Sequence, residues 1–353
     1  MKTASSPTAC RVYVSSTESR EIHAFQLDPE TGRMTLIEAI GVPGSGAPTR
    51  GNIPLTRSRD NKVLYAQVRI DPFPLSAFTI DPGSGRLTLL DSCLMPAPIA
   101  YLSTTLNGKF MLGASYDGAL LTVNAIEPDG RLARPCRQTI PTSPKAHCII
   151  EAPFGGLVYA TTVDGDAILA YRLDPVSGRL EPTRSSVTYT QPGSGPRHLV
   201  FHPTLDRLYC INEHSGTLTS YSVDRASGAL QALQDESLMP PDFSGNALAA
   251  DIHLTPNAAF LYASIRKTNS IKVFKVDPLT GMISNTGAFT VDANPRGFAI
   301  EPNGRFLLCA GQETKRVTVY AIRSDTGALD PIAHYAVGKR PSWIEISPVP
   351  EGV

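Results

Sequence analysis

Pairs of short segments in which apolar and polar positions alternate recur along the whole chain, each pair followed by a turn, and none continues into an amphipathic helical period. Arg-Leu-Tyr-Cys-Ile at 207–211 and Leu-Thr-Ser-Tyr-Ser-Val at 218–223 form one such pair. Their length, period of two and content of β-branched and aromatic residues predict strands. A Pro-led strand precedes them at 196–203, Pro-Arg-His-Leu-Val-Phe-His-Pro, and a fourth follows the turn at 229–234. The turn has the form Asp-Pro-x-Ser/Thr-Gly-Arg-Leu, in full or degraded, at 28–34, 81–87, 127–132, 174–180, 224–230, 277–283 and 324–329. Asp and Pro initiate it and Gly supplies the positive φ that other residues resist.

The turn glycines are Gly32, Gly85, Gly130, Gly178, Gly228, Gly281 and Gly327, so successive steps are 53, 45, 48, 50, 53 and 46 residues. Seven units of four strands at this period predict an all-β fold, a seven-bladed β-propeller with one domain over residues 1–353. Second strands are marked by Val12-Tyr-Val, Val63-Leu-Tyr, Phe110-Met-Leu, Leu157-Val-Tyr, Leu208-Tyr-Cys, Phe260-Leu-Tyr and Phe306-Leu-Leu. The chain opens directly on a second-type strand at 11–15, and the missing Pro-led strand stands at the far end, 340–348. That strand is expected to become the innermost strand of blade 1 and close the ring. Repeats of the WD40 type are shorter, with Gly-His and Trp-Asp signatures, and this chain has one Trp. Kelch repeats would bring paired glycines, present here only at Gly155-Gly156.

Composition narrows the function. Lys+Arg 32 against Asp+Glu 32 leaves no polyelectrolyte surface for nucleic acid. Met1 to Cys10 is short and polar and lacks the apolar core of a targeting peptide. No run approaches the ~18 apolar residues that span a bilayer. Cysteines 10, 93, 136, 148, 210 and 309 form no CxxC pair. They read as reduced, buried thiols of a cytoplasmic protein, without a structural metal or a disulfide framework. A closed ring with no spare apolar helix predicts a monomer with no membrane partner.

Two repeat positions fall near the channel mouth, where the connections into the first strand and out of the second share one face. Six residues before the proline that ends the first strand stand His147, Arg197, Ala250, Arg296 and Ser342; the positions in blades 2 and 3 do not align cleanly. Four residues past the Tyr or Leu of the second strand stand Thr17, Arg69, Tyr116, Val163, Glu213, Arg266 and Gln312. Loop-facing positions are commonly small and polar, so His147, Arg197, Glu213, Arg266 and Arg296 on adjacent blades form an unusual concentration. Asp251, one position beyond the ring, adds a second carboxylate. A carboxylate near an imidazole suits acid–base work, and guanidiniums bind anions or a developing oxyanion. No G-x-S-x-G elbow, Walker loop or H-E-x-x-H motif is present. Inter-blade salt bridging is the plain alternative for each arginine, and hydrogen-bonded structural roles for His198, His202 and His253. Trp343 and Tyr116 read as channel-lining groups, Asp164 and Asp166 as a solvated turn. Cys148 beside His147 makes no dyad, because strand neighbours point to opposite faces.

Gly195-Pro-Arg-His-Leu-Val-Phe-His-Pro203, Tyr209-Cys-Ile-Asn-Glu213, Ala249-Ala-Asp-Ile-His-Leu-Thr-Pro256, Pro295-Arg-Gly-Phe298, Ala310-Gly-Gln312 and Tyr335-Ala-Val-Gly338 resemble the lactonase family of seven-bladed propellers. That family includes sugar-acid lactonases and carboxymuconate lactonizing enzymes. The resemblance implies a metal- and cofactor-independent hydrolase acting on a small-molecule lactone, 6-phospho-D-glucono-1,5-lactone of the pentose phosphate route. It carries the family's active-site His, two Arg and Glu onto His147, Arg197, Arg266 and Glu213. The expected roles are Glu213 activating water, Arg197 and Arg266 holding the oxyanion and His147 protonating the ring oxygen. Arg296, His198, Asp251, Gln312, Tyr116 and Arg69 are the expected substrate-binding groups. Where the family would place Gly before the His, Ser-Pro-Lys-Ala-His at 143–147 has none, and residues 49–60 carry extra length. A carboxymuconate-type cycloisomerase and a non-enzymatic binding platform are the rival readings.

Overall fold

The computed structural model describes residues 9–44 and 51–349. The readings placed on the first eight residues, on Thr49 and Arg50, and on the domain's last four residues lie outside that range. Among the described residues, twenty-eight strands form seven four-stranded antiparallel sheets, each running outward from a central channel. Six blades use four consecutive strands. Blade 1 takes its innermost strand from the other end of the chain, Pro341–Pro348, paired antiparallel with Cys10–Ser16 from Cys10↔Pro348 to Ser16↔Pro341. The expected closure is therefore present.

The alternating pattern read in each second strand has a specific destination. In Cys10–Ser16, Val12 and Val14 pack toward blade 7, against Leu308, Ala310 and Val317. Tyr13, pointing the other way, packs toward blade 2 with Leu64 and Ala66. Every blade interface has such a cluster, so the second strands are buried on both faces. Outer strands such as Leu87–Leu94 are mostly exposed or half-buried instead, with only Leu87 and Cys93 buried, since only part of each side chain set meets a neighbour.

Second-strand tyrosines also tie five of the blades to the next. Tyr13 donates its hydroxyl to the carbonyl of Gly85 at 3.0 Å, Tyr65 to Gly130 at 2.7 Å, Tyr159 to Gly228 at 3.0 Å, Tyr209 to Gly281 at 2.7 Å and Tyr262 to Gly327 at 2.8 Å. The acceptors are the repeated turn glycines, all with left-handed φ between 69° and 89° once Gly32 and Gly178 are included. A Cβ at Gly178 would stand 2.4 Å from Phe110 of the preceding blade, so both φ and the close approach demand glycine there.

Blade 3 departs from the expected pattern in its outer strand. After a single bridge, Ile126↔Leu132, pairing resumes only at Gln138–Pro141. Pro135 lies in the gap and has no N–H for the ladder.

Removing residues after about 338 would strip blade 1 of its inner strand and expose the edge of Cys10–Ser16 together with the contacts of Ile344 and Ile346. The truncated chain is expected to melt at least ~10 °C lower or to aggregate, by differential scanning calorimetry; an unchanged transition would show that closure does not hold the ring.

Candidate active site

Each inner strand of blades 4 to 7 and blade 1 opens with the same backbone device. A residue with left-handed φ stands just before the strand: Lys145 (63°), Gly195 (69°), Leu248 (53°), Asn294 (59°) and Arg340 (57°). Its carbonyl accepts the N–H of the residue that follows the second strand of the same blade. These bonds are Val163 to Lys145 at 3.0 Å, Glu213 to Gly195 at 2.7 Å, Arg266 to Leu248 at 3.3 Å, Gln312 to Asn294 at 3.2 Å and Thr17 to Arg340 at 3.0 Å. A β-bulge follows at once. Ala146↔Thr162 and Cys148↔Thr161 leave His147 unpaired, and Arg197, Arg296 and Ser342 are left out in the same way. In blade 6 the bulge is wider, with Ala250 and Asp251 between Ala249↔Ile265 and Ile252↔Ala263. A bulge kinks the strand and re-aims its side chain, which turns the two sequence rings into one constellation.

Counted from the N–H that closes the turn after the first strand, the unaligned positions of blades 2 and 3 are Ile53 and Ala100, both buried and apolar. The chemistry is thus concentrated on blades 4 to 7. Lys145 occupies the left-handed position that is Gly195 in blade 5, which accounts for the absent glycine before His147. Its ammonium pairs with Asp164 at 2.8 Å and lies 5.6 Å from the Tyr116 ring centroid.

Glu213 is the hub. Its Oε2 accepts from Arg197 Nε at 3.0 Å and its Oε1 from Arg266 Nη2 at 2.8 Å. Arg197, only 2% exposed, also donates from Nη1 to the Ala250 carbonyl and to His198 Nε2, the latter at 3.1 Å. Arg266 Nε donates to the Leu248 carbonyl at 2.9 Å. Arg69 reaches Asn52 at 2.9 Å and Asp117 at 2.6 Å. Tyr116 meets the His147 ring edge-on at 5.6 Å, and His147 meets His198 at 5.0 Å. Arg296 has no carboxylate or carbonyl partner among the described residues, although it feels Glu213 and the other arginines. His147 Nδ1, Gln312 Nε2 and Arg69 Nε are buried without a hydrogen-bond partner.

Burial pushes the Glu213 carboxyl up, but Arg197, Arg266 and Arg296 overcome this and hold it at about 2. Burial, reinforced by Arg197 and His198, keeps His147 well below the ordinary histidine value and therefore neutral at pH 7. Burial and Arg197 lower His198 to about 4 against the opposing pull of Asp251. Burial and the neighbouring Arg197 and Arg266 depress Arg296 strongly, a measure of how crowded the cations are.

Four expected residues, His147, Arg197, Glu213 and Arg266, come together at one mouth with Arg296, Tyr116 and Arg69, and Gln312 holds the equivalent position after the second strand of blade 7. His198 and Asp251 stand apart from the expectation that they bind substrate. They are buried behind Arg197 and engaged with each other, His198 Nδ1 to Asp251 Oδ1 at 2.8 Å, because the wide bulge of blade 6 turns Asp251 inward. His202 caps its turn, accepting from the N–H groups of Thr204 at 3.2 Å and Leu205 at 3.0 Å. Asp166 is no freely solvated residue: it accepts from the N–H groups of Gly193 at 2.6 Å and Gly195 at 2.9 Å, fixing the approach to Arg197. Lys145 was not singled out by the repeat positions, and only its place where a glycine was expected marked it. Among the described residues, no cluster of three or more His, Cys, Asp or Glu could hold a metal ion, and no helix is long and apolar enough to cross a membrane.

Residues 6–346 match the family model described as lactonase, 7-bladed beta-propeller. The chain is 37% identical over 335 residues to a 6-phosphogluconolactonase of Pectobacterium atrosepticum, covering 95% of this chain and 98% of the relative. It is 33% identical over 335 residues to a 6-phosphogluconolactonase of Serratia proteamaculans, at 95% and 98% coverage. Among solved structures, the periplasmic gluconolactonase of Pseudomonas aeruginosa superposes with a TM-score of 0.88 at 25% identity, covering 97% of this chain and all (100%) of that one. With the four-stranded blades, the mouth of arginines around Glu213 and a match over nearly its full length, this chain belongs to the seven-bladed β-propeller lactonase family.

Proposed function

We propose that the protein hydrolyses 6-phospho-D-glucono-1,5-lactone to 6-phosphogluconate, in the cytoplasm and in the pentose phosphate route. The observation that carries this reading is under-neutralised positive charge at one mouth: Arg197 and Arg266 share the single Glu213 carboxylate, and Arg296 beside them has no acidic partner of its own among the described residues. Charges drawn out of water in this way are costly unless something pairs with them. An anionic, oxygen-rich lactone does so. Around the mouth Arg69, Lys145, Arg197, Arg266 and Arg296 face Glu213, Asp117 and Asp164, an excess of cations in a chain of zero net charge. Two relatives carry the name 6-phosphogluconolactonase, which supports the same substrate. Six free cysteines support the compartment.

The role expected of Glu213 as the base does not suit a carboxylate held at about 2 with both oxygens engaged by guanidiniums. Its part is to hold Arg197 and Arg266 in place. His147 is neutral, and its Nε2, unlike the buried Nδ1, is not closed off, so it takes a proton from water as the water oxygen attacks the lactone carbonyl. Arg197 and Arg266 stabilise the oxyanion. Collapse of the tetrahedral species breaks the bond to the ring oxygen, and His147 returns its proton to that leaving oxygen. The new carboxylic acid then ionises. Arg296 binds the phosphate, with Arg69 and Lys145 completing the positive rim.

Acid release from fresh 6-phosphogluconolactone, measured above its spontaneous opening and beside glucono-1,5-lactone, tests the substrate. No acceleration of either lactone, with an ultraviolet change on a carboxymuconate, would transfer the site to cycloisomerisation. His147→Gln is expected to lower kcat by ~10² to 10⁴. Arg296→Met should raise KM for the phosphorylated lactone about 10- to 100-fold and leave glucono-1,5-lactone nearly unaffected; equal effects on both would remove Arg296 from phosphate binding. Because the depressed His147 must be neutral to act, kcat/KM should stay level from pH 7 down to 6.5 and fall only on the acid side of 6.5. Stability follows the same groups. His198, at about 4 when folded and near 6.5 when unfolded, binds more protons unfolded, so stability falls as pH drops from 6.5 to 4. Glu213 adds a further loss from 4.5 toward 2, which Glu213→Gln should abolish while lowering stability at neutral pH by about 3 kcal/mol, since Arg197 is left buried without its counter-charge. Melting curves across pH 3 to 8 check both signs.

A further inference from the structure

Arg197 has five N–H bonds to place, and the structure accounts for three. Nε donates to Glu213, and the two hydrogens of Nη1 go to His198 Nε2 and the Ala250 carbonyl, leaving Nη2 for the mouth. A guanidinium cannot accept a hydrogen bond and stays protonated. The contact at 3.1 Å therefore requires a lone pair on His198 Nε2 and puts the ring proton on Nδ1. Nδ1 has one partner, Asp251 Oδ1 at 2.8 Å.

Asp251 is itself fixed from several sides. Its Oδ1 also accepts from the N–H of Ile252 at 3.0 Å, and its Oδ2 from the N–H of Phe298 in blade 7 at 3.2 Å. His253 Nε2 stands 3.3 Å from Oδ2, and the Asp251 N–H donates to Ser264 Oγ at 3.0 Å. His198 is boxed by rings, with Tyr101 at 5.1 Å, His147 at 5.0 Å and Trp343 at 6.1 Å. Neither group can turn away without disturbing three blades.

We propose that Asp251 and His198 are a positioning pair for Arg197: Asp251 holds the His198 proton on Nδ1, so that Nε2 accepts from Arg197 and aims the remaining Nη2 at the lactone carbonyl. This rests on the lactonase reading above. Blade 6 then serves the mouth without a side chain in it, since its wide bulge supplies the Ala250 carbonyl and the Asp251 carboxylate from behind. The pair touches Arg197 and not the substrate, so its loss weakens transition-state stabilisation more than binding.

Two readouts test it. Long-range ¹H–¹⁵N NMR on histidine-labelled wild-type protein, which has seven histidines, should show His198 at pH 7 as the neutral Nδ1–H tautomer; an Nε2–H or doubly protonated ring overturns the proposal whether or not any lactone is turned over. In steady-state kinetics, Asp251→Ala and His198→Phe should each lower kcat by ~10- to 100-fold with KM changed less than about 3-fold. The double variant should lose no more than His198→Phe alone, because the carboxylate acts through the imidazole. Additive losses, or wild-type kcat in either folded variant, also overturn it. If Asp251→Ala does not fold, His198→Phe and the wild-type spectrum still decide. A wild-type protein that opens no lactone yet shows the Nδ1–H tautomer would count against the lactonase reading and leave the Asp251–His198–Arg197 linkage standing.

Discussion

Hydrogen bonding between the two ends of the chain holds seven blades in a ring, and every functional contact depends on that ring. Pro341–Pro348 pairs with Cys10–Ser16, so blade 7 is packed against blade 1 and each second strand has a neighbour on both faces. The tyrosine-to-glycine bonds repeat the tie between five successive pairs of blades. A toroid built this way has little freedom at its centre. Residues of blades 4, 5, 6 and 7 meet there because the inner strands converge, and not because the chain brings them close.

Convergence of cations has an energetic consequence. Three guanidiniums around one carboxylate, that of Arg197 buried and those of Arg266 and Arg296 half-buried, are under-neutralised, and taking charges out of water is offset only where the geometry supplies enough partners. Glu213 satisfies Arg197 and Arg266 with one oxygen each, and Arg296 is left without a partner of its own. In the proposed function an anionic ligand relieves this arrangement, so the crowding of cations is the feature that would favour a phosphorylated, oxyanion-forming substrate. Burial and the same crowding keep His147 neutral, which suits the proton-accepting role proposed for it.

Rigidity comes from where the groups are mounted. His147, Arg197 and Arg296 sit on bulges at the starts of strands, and Glu213, Arg266 and Gln312 follow the ends of strands whose last N–H is already bonded across the blade. Groups carried on strands and held by a second layer need little reorganisation in the reaction. Lys145 illustrates how firmly the backbone is dictated: it adopts the left-handed φ of 63° that blade 5 assigns to Gly195, a conformation costing a non-glycine residue roughly 1 kcal/mol.

Strand period, turn chemistry and the repeat spacing are local properties, and from them the sequence determined the all-β propeller, its seven blades, the closing strand and the two rings in which His147, Arg197, Glu213, Arg266 and Arg296 lie. Counting positions within a repeat works because each blade is the same supersecondary unit. It falters where a blade breaks the pattern, as at Pro135 in the outer strand of blade 3 or around Ile53 in blade 2. Partnerships across the channel were decided by tertiary structure alone. Glu213 and Arg266 are 53 residues apart, as are His198 and Asp251, and which of them meet depends on a bulge that leaves no mark in composition or period. Hence the sequence placed Glu213 as the base and His198 and Asp251 against the substrate, whereas the folded ring makes the first a counter-charge and sets the other two behind Arg197, since contact, burial and protonation are properties of through-space neighbours.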